Sequence, residues 1–194
     1  MIKLGISFIS FGWVCLLAGC LYAPWENLAY EVVDAPPSHG DAIDALTLSS
    51  NHDYDDYIID DVMFSVMLPG TGYYTKERGP YTLWVHLAKK RMAPESSSIG
   101  TAVNLRSIKV TRLCETVWED HDVQIELTSF LGPPNYLKPV ITGELEVVLP
   151  DVLNPKDGKS IQVIVTVEAK DGNDRLLTFS FRPKIDRGSI VLLD

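Results

Sequence analysis

Apolar and polar residues alternate along much of the chain after residue 58. In residues 62–68, for example, every second residue is a large apolar one. A period of two places alternate side chains on opposite faces of a β-strand. Stretches of this kind predict strands at 62–68, 81–87, 104–114, 123–128, 144–149, 161–170, 177–182 and 189–193. The pattern in 104–114 is irregular and predicts a β-bulge.

The order of these stretches indicates the fold class. No helical period of convincing length interrupts them, and Asp171-Gly172 marks a tight hairpin turn between two strands. Seven or eight strands joined by turns favour an all-β antiparallel sandwich. We expect the immunoglobulin-like type on strand number alone, because the cysteine pair of antibody domains is absent. The predicted domain spans residues 58–194.

Residues 20–57 show no sustained period. They contain Pro24, Pro36 and Pro37 and many small polar and acidic residues. We interpret this segment as a tether, which would reach about 30 to 40 Å as a coil.

The first 20 residues have the order of a secretory signal. Lys3 precedes an apolar run over residues 4–16, and Leu17-Ala18-Gly19-Cys20 follows. The run is shorter than the roughly 20 apolar residues that span a bilayer. The four-residue motif resembles the lipobox of bacterial lipoproteins.

The resemblance implies removal of residues 1–19 and lipidation of Cys20, with a thioether-linked diacylglycerol and an acylated amino end. Three acyl chains exceed the two signals that stable anchoring requires. Leu21, where an aspartate would retain such proteins at the inner membrane, implies the outer membrane if the organism has one, facing the periplasm or the cell surface. The alternative is an ordinary signal peptide that is cleaved elsewhere.

The charge of the chain restricts its partners. The net charge of −9 becomes −10 without residues 1–19, which hold Lys3 and no acidic residue. Such a balance argues against nucleic acid and against an anionic lipid surface, since both need clustered Lys and Arg.

Cys114 is the thiol that remains after removal of Cys15 and lipidation of Cys20. We expect it to be buried in a strand, as free cysteine behaves as a small apolar residue. An intermolecular disulfide is the alternative.

Two acidic segments are candidate metal sites. Asp53, Asp55, Asp56, Asp60 and Asp61 could supply oxygen ligands to calcium, but the glycine and glutamate of an EF-hand loop are missing. The second segment places His121 between Asp120 and Asp122, where alternation turns His121 away from the two carboxylates. We expect solvated surface in both cases, and no metal or other cofactor.

Known catalytic motifs are missing from the sequence. It has no Gly-x-Ser-x-Gly, His-Glu-x-x-His, Ser-x-x-Lys or glycine-rich phosphate loop. We therefore predict that the protein is not an enzyme.

Aromatic residues in loops and on outward strand positions are the candidate binding residues. Exposed aromatic side chains mark contact surfaces for protein partners or sugar rings. The candidates are Tyr73, Tyr74, Trp84, Trp118 and Tyr136. The alternative is that they pack against a second layer of the protein.

These observations predict a membrane-anchored lipoprotein whose β-sandwich binds a partner. The expected role is a structural or accessory component of a cell-envelope assembly, with an envelope protein as partner. The alternative is a carbohydrate-binding module for cell-wall or surface glycan.

Overall fold

The computed structural model describes residues 20–36, 54–68, 81–90, 102–130, 140–150 and 153–193. These residues form ten strands and two single turns of 3-10 helix, at Asp55–Tyr57 and Pro155–Asp157. The strands are β1 Cys20–Val32, β2 Ile58–Ile59, β3 Val62–Met67, β4 Thr82–Lys90, β5 Ala102–Arg112, β6 Glu115–Glu126, β7 Thr128–Phe130, β8 Val140–Val148, β9 Ile161–Glu168 and β10 Asp174–Leu193.

The strands form two five-stranded antiparallel sheets. The order is β1-β10-β9-β5-β6 in the first sheet and β2-β3-β4-β8-β7 in the second. The predicted all-β sandwich is therefore confirmed, whereas its immunoglobulin-like type stays a prediction. Alternation missed the short strands β2 and β7, and the stretches predicted at 177–182 and 189–193 belong to the single strand β10.

The core lies between the two sheets. Phe64, Val85, Ile108, Val165 and Phe179 are fully buried and belong to one apolar cluster. Each lies at an apolar position of the predicted alternation, so the period of two identified the inward face of these strands.

The predicted bulge in the third stretch is confirmed. The register of β5 shifts between Leu105 and Ser107 against β9, and between Val110 and Thr111 against β6. Each shift leaves an extra residue on one strand, which interrupts the regular alternation of the sequence.

The predicted tether is wrong for the part that the structure describes. Cys20–Val32 is strand β1, and Leu28 and Tyr30 on it are only 4% exposed. The hydroxyl of Tyr81, the residue just before β4, donates to the Leu28 carbonyl over 3.3 Å. The sequence contains no local sign of this strand, because its hydrogen-bond partner lies at the other end of the chain.

The pairing of β1 with β10 extends beyond the rest of the first sheet. Residues 174–181 of β10 pair with β9, whereas residues 181–193 pair with β1, from Val32 opposite Phe181 to Cys20 opposite Leu193. We call this thirteen-pair segment the ribbon. It puts Cys20 at the end of an antiparallel pair of strands whose inner part, at Leu28 and Tyr30, is still buried in the sandwich.

Two tight turns contain non-glycine residues with left-handed backbone. Leu113 and Cys114, with φ of 52° and 69°, join β5 to β6, and Asp60 and Asp61, with φ of 52° and 67°, join β2 to β3. The expectation that Cys114 is buried in a strand is wrong, since the thiol is exposed in a turn and free.

Candidate functional site

The base of the ribbon is held to the sandwich by charged side chains. Glu26 on β1 forms ion pairs with Arg187 on β10, at 2.9 Å, and with Lys156 in the second 3-10 turn. Hydrogen bonds from Lys156 and then Arg187 hold the pKa of Glu26 below its usual value. These contacts fix the orientation of the ribbon at the point where it leaves the domain.

A second charged group lies five residues further in along β1. Glu31 accepts hydrogen bonds from Nε and Nη2 of Arg182, at 3.0 and 2.8 Å, and lies 3.6 Å from Lys184 Nζ. Arg182, followed by Lys184, lowers the pKa of Glu31. Both acidic residues of β1 are thus paired with basic residues of β10.

The candidate lipidation residue, Cys20, is the first residue that the structure describes. It lies at the outer end of the ribbon, opposite Leu193. The other lipobox residues, Leu17, Ala18 and Gly19, lie outside the described part of the chain.

The two tryptophans predicted to bind a partner lie on different sheets. Trp84 on β4 is half-buried, with its ring centroid 5.6 Å from that of His86 and its Nε1 buried without a hydrogen-bond partner. Trp118 on β6 lies opposite Val110 and packs against the apolar core. The other three candidates, Tyr73, Tyr74 and Tyr136, lie outside the described residues.

Polar side chains cross the outer face of the second sheet in one row. Ser65, His86 and Glu144 lie opposite one another on β3, β4 and β8, with 3.7 Å between His86 Nδ1 and Glu144 Oε2. A serine nucleophile needs a base within hydrogen-bond reach and an open path to its substrate. Ser65 Oγ is fully buried and makes no hydrogen bond, so this arrangement does not form a catalytic triad.

Three of the acidic candidates that the structure describes, Asp55, Asp56 and Asp60, line one shallow depression, but they do not form a metal-binding group. Asp55 and Asp56 are exposed in the first 3-10 turn, and Asp60 accepts a 2.7 Å hydrogen bond from the Lys170 backbone N–H. Asp53 lies outside the described residues. Within the described ranges, no three His, Cys, Asp or Glu side chains group so that they could hold a metal ion.

The outer edge of the first sheet is a long acidic strand. β6 runs for twelve residues, and β5 is its hydrogen-bonded neighbour among the described strands. Its exposed acidic residues are Glu115, Glu119, Asp120, Asp122 and Glu126. Glu119 lies 3.3 Å from Lys109 Nζ on β5 and 3.8 Å from His121 Nε2, while Asp120 accepts a 2.8 Å hydrogen bond from the His121 backbone N–H. A strand of a partner protein can pair with an edge of this kind. The acidic side chains of β6 favour a partner strand that carries basic residues.

Sequence reasoning missed a cleft between the sheets. It has a volume of about 290 Å³, and its lining includes Phe64, Val103, Leu127, Val167 and Asp60. The size is at the lower limit of small-molecule pockets. The apolar residues that line the cleft follow the same alternation as the core residues. The sequence therefore has no signal that distinguishes a cleft-lining residue from a core residue.

Comparison with known proteins gives no relative. No protein-family model, curated protein or solved structure matches the chain. In the described part of the chain, no helix combines the length and the apolar character needed to cross a bilayer.

Proposed function

We propose that the chain is a lipid-anchored protein of the cell envelope whose β-sandwich recognises another envelope protein. Its role is a structural or accessory one in an envelope assembly. The observation that carries the proposal is the position of Cys20: the residue that ends the lipobox-like motif stands at the outer end of the ribbon, away from the sandwich core. An anchor there leaves both sheets accessible to a partner.

The anchor is tested by metabolic labelling with palmitate in bacteria that express the full-length chain. Cys20→Ser is expected to abolish labelling. Cys15→Ser is the matched control, because it removes a neighbouring thiol from the segment that is cleaved off, and it is expected to leave labelling intact. Labelling that survives in Cys20→Ser would reject the anchor.

For the partner-binding surface we favour the outer edge of β6. Addition of a strand pairs backbone groups along the edge, and charge complementarity selects among partners. Edge charges also discourage unwanted strand pairing, so a specific partner has to neutralise them. The acidic residues of β6 therefore favour a partner segment that is extended and basic.

The edge is tested by photo-crosslinking in living cells, with the crosslinking amino acid at Thr116 or His121, both exposed on β6. We expect one envelope protein to be captured at both positions. The control is Gln162, exposed on β9 in the interior of the same sheet, where capture of that protein should be much weaker. Equal capture at Gln162 would show that β6 is not the contact.

Glycan binding through Trp84 and Trp118 ranks second. The two side chains are each half-buried and lie on different sheets, which does not provide a continuous platform for sugar rings. Titration of tryptophan fluorescence with peptidoglycan fragments and capsule sugars tests it, and an unchanged spectrum would exclude these residues as glycan contacts.

A further inference from the structure

The cleft between the sheets has an apolar floor and a partly exposed mouth. Phe64, Leu127 and Val167 line it and are at most 3% exposed, whereas Ile59 and Val103 in the same lining are half-buried. Its volume of about 290 Å³ corresponds to about ten groups the size of a water molecule, at roughly 30 Å³ each. A molecule of about ten non-hydrogen atoms would therefore fill it.

Lys89 is the unusual residue of this lining. On β4 it comes two residues after Leu87 and four after Val85, which both belong to the core, so the alternation turns Lys89 to the same inner face. It is half-buried, and its cross-strand neighbours are Val62 on β3 and Ile141 on β8. The Lys89 side chain therefore lies between apolar residues, at the end of the core.

Two ordinary roles of an inward lysine do not fit Lys89. An inward charge on an edge strand discourages unwanted strand pairing, but β4 is the middle strand of the second sheet. A structural ion pair would need an acidic partner. Among the described residues, the lysines that form ion pairs with acidic residues are Lys109, Lys156 and Lys184. The charge of Lys89 is thus left for a ligand in the cleft.

The other charged residues of the lining restrict the charge of that ligand. Glu168 accepts a 2.8 Å hydrogen bond from Arg106, and Asp60 accepts a 2.7 Å hydrogen bond from the backbone N–H of Lys170. A cationic ligand would be repelled by Lys89, and a ligand with several negative charges would be repelled by Asp60. A single negative charge is therefore favoured.

We propose that the cleft binds a small amphipathic monocarboxylate, with its apolar body between the sheets and its carboxylate paired with Lys89. An apolar pocket with a few well-placed polar groups is the usual form of a small-molecule site, and a charge-assisted hydrogen bond fixes the orientation of the ligand. None of the lining residues belongs to β1 or β6. The site is therefore independent of the anchor and of the edge strand.

Binding is tested by calorimetric titration of the full-length chain with Cys20→Ser, so that no attached acyl chain can enter the cleft. Octanoate offers a linear apolar body and benzoate an aromatic one. Octanol and octylamine are the controls, since they have the chain length of octanoate with no charge or a positive one. Octanoate should bind about tenfold or more tightly than octanol, and octylamine should bind least. Equal affinity for octanoate and octanol, or no binding of either carboxylate, would overturn the proposal.

Lys89→Met tests the role of the ammonium group, because methionine retains an apolar stem of similar length. The affinity for octanoate should fall by about tenfold or more, and the affinity for octanol should stay the same. Lys159→Met is the matched control, since Lys159 is exposed and lies outside the cleft, and it should bind octanoate as the parent does. Unchanged octanoate binding in Lys89→Met would show that Lys89 is not the contact.

A measurement without a cleft substitution covers the case in which Lys89→Met misfolds. In methyl NMR spectra of the Cys20→Ser chain, octanoate should shift the signals of Ile59, Val103, Leu127 and Val167, which line the cleft. The signals of Val148, exposed at the end of β8, should not move. Shifts at Val148 without shifts in the lining would place the ligand elsewhere and reject the site.

Discussion

At the scale of single residues, Tyr57 connects the first 3-10 turn to the core. Its hydroxyl donates to the Thr178 carbonyl over 3.3 Å, and its ring lies 5.0 Å from that of Phe179. Burial, followed by the nearby charge of Asp34, raises the pKa of Tyr57 to about 12. The neutral phenol is thus favoured in the folded state.

This shift predicts a pH dependence of stability. An unfolded tyrosine ionises near pH 10, so the contribution of Tyr57 is complete below about pH 10 and is lost as the pH rises towards about 12. Urea unfolding at pH 9 and pH 11 should show a larger loss of stability for the native chain than for Tyr57→Phe. Equal losses in the two proteins would contradict the assignment.

The turn between β5 and β6 stores backbone strain. Leu113 and Cys114 both have positive φ, and two-residue hairpin turns of this geometry prefer Asn-Gly. Leu113→Asn combined with Cys114→Gly should therefore raise the free energy of unfolding by about 1 kcal/mol, measured by chemical denaturation. Cys114→Ser removes the thiol without relieving the strain and should give no gain. A similar gain in Cys114→Ser would attribute the effect to the thiol.

At the scale of elements, the sequence predicted those strands that separate an apolar inner face from a more polar outer one. β9 is the clearest of this kind, since its residues alternate between buried and more exposed positions. Detection of β1 requires knowledge of its partner, because its register with β10 joins residues more than 140 positions apart. In residues 20–25 and 188–193 most positions are apolar, and this removes the alternation that a local pattern needs.

The ion pairs of Glu26 and Glu31 should make the stability of the β1–β10 pairing depend on pH. Because the pKa values of Glu26 and Glu31 are lowered, their contribution is present above the usual glutamate pKa and is lost as the pH falls through the lowered values. Glu26→Gln with Glu31→Gln should speed amide hydrogen exchange in the ribbon at pH 7, by about twofold or more. Exchange in residues 174–181, which pair with β9, is the internal control and should not change. If the variant and the native chain still differ in the ribbon at pH 2, ionisation of these glutamates is not the cause.

At the scale of the whole molecule, the candidate site depends on strand order. The lipobox-like motif is local, so the sequence shows it directly. The acidic residues of β6 are also visible in the sequence, but their position on an outer edge follows from pairing among β5, β9 and β10. Burial of Met63 and Ser65 on the outer face of the second sheet likewise has no local signal.

The two sheets approach closely at Gly143 on β8. A Cβ atom there would lie 2.9 Å from the Glu126 carbonyl oxygen and 2.9 Å from Ile125 Cγ2, both on β6. Gly143→Ala should therefore separate the sheets and lower the free energy of unfolding by about 1–3 kcal/mol, a fall in Tm of roughly 3–10 °C, measured by calorimetry. Gly158→Asn is the control, because nothing lies near that position and asparagine tolerates positive φ. An unchanged Tm in Gly143→Ala would show that β8 moves freely away from β6.

The length of β10 has a mechanical consequence. A force applied at Cys20 acts along β1, perpendicular to the hydrogen bonds that join it to β10. The thirteen pairs are then loaded together in shear, and β10 passes the load through residues 174–181 to β9 in the middle of the first sheet. A pull at Cys20 is therefore carried into the centre of the sandwich and does not break the pairs of an edge strand one at a time.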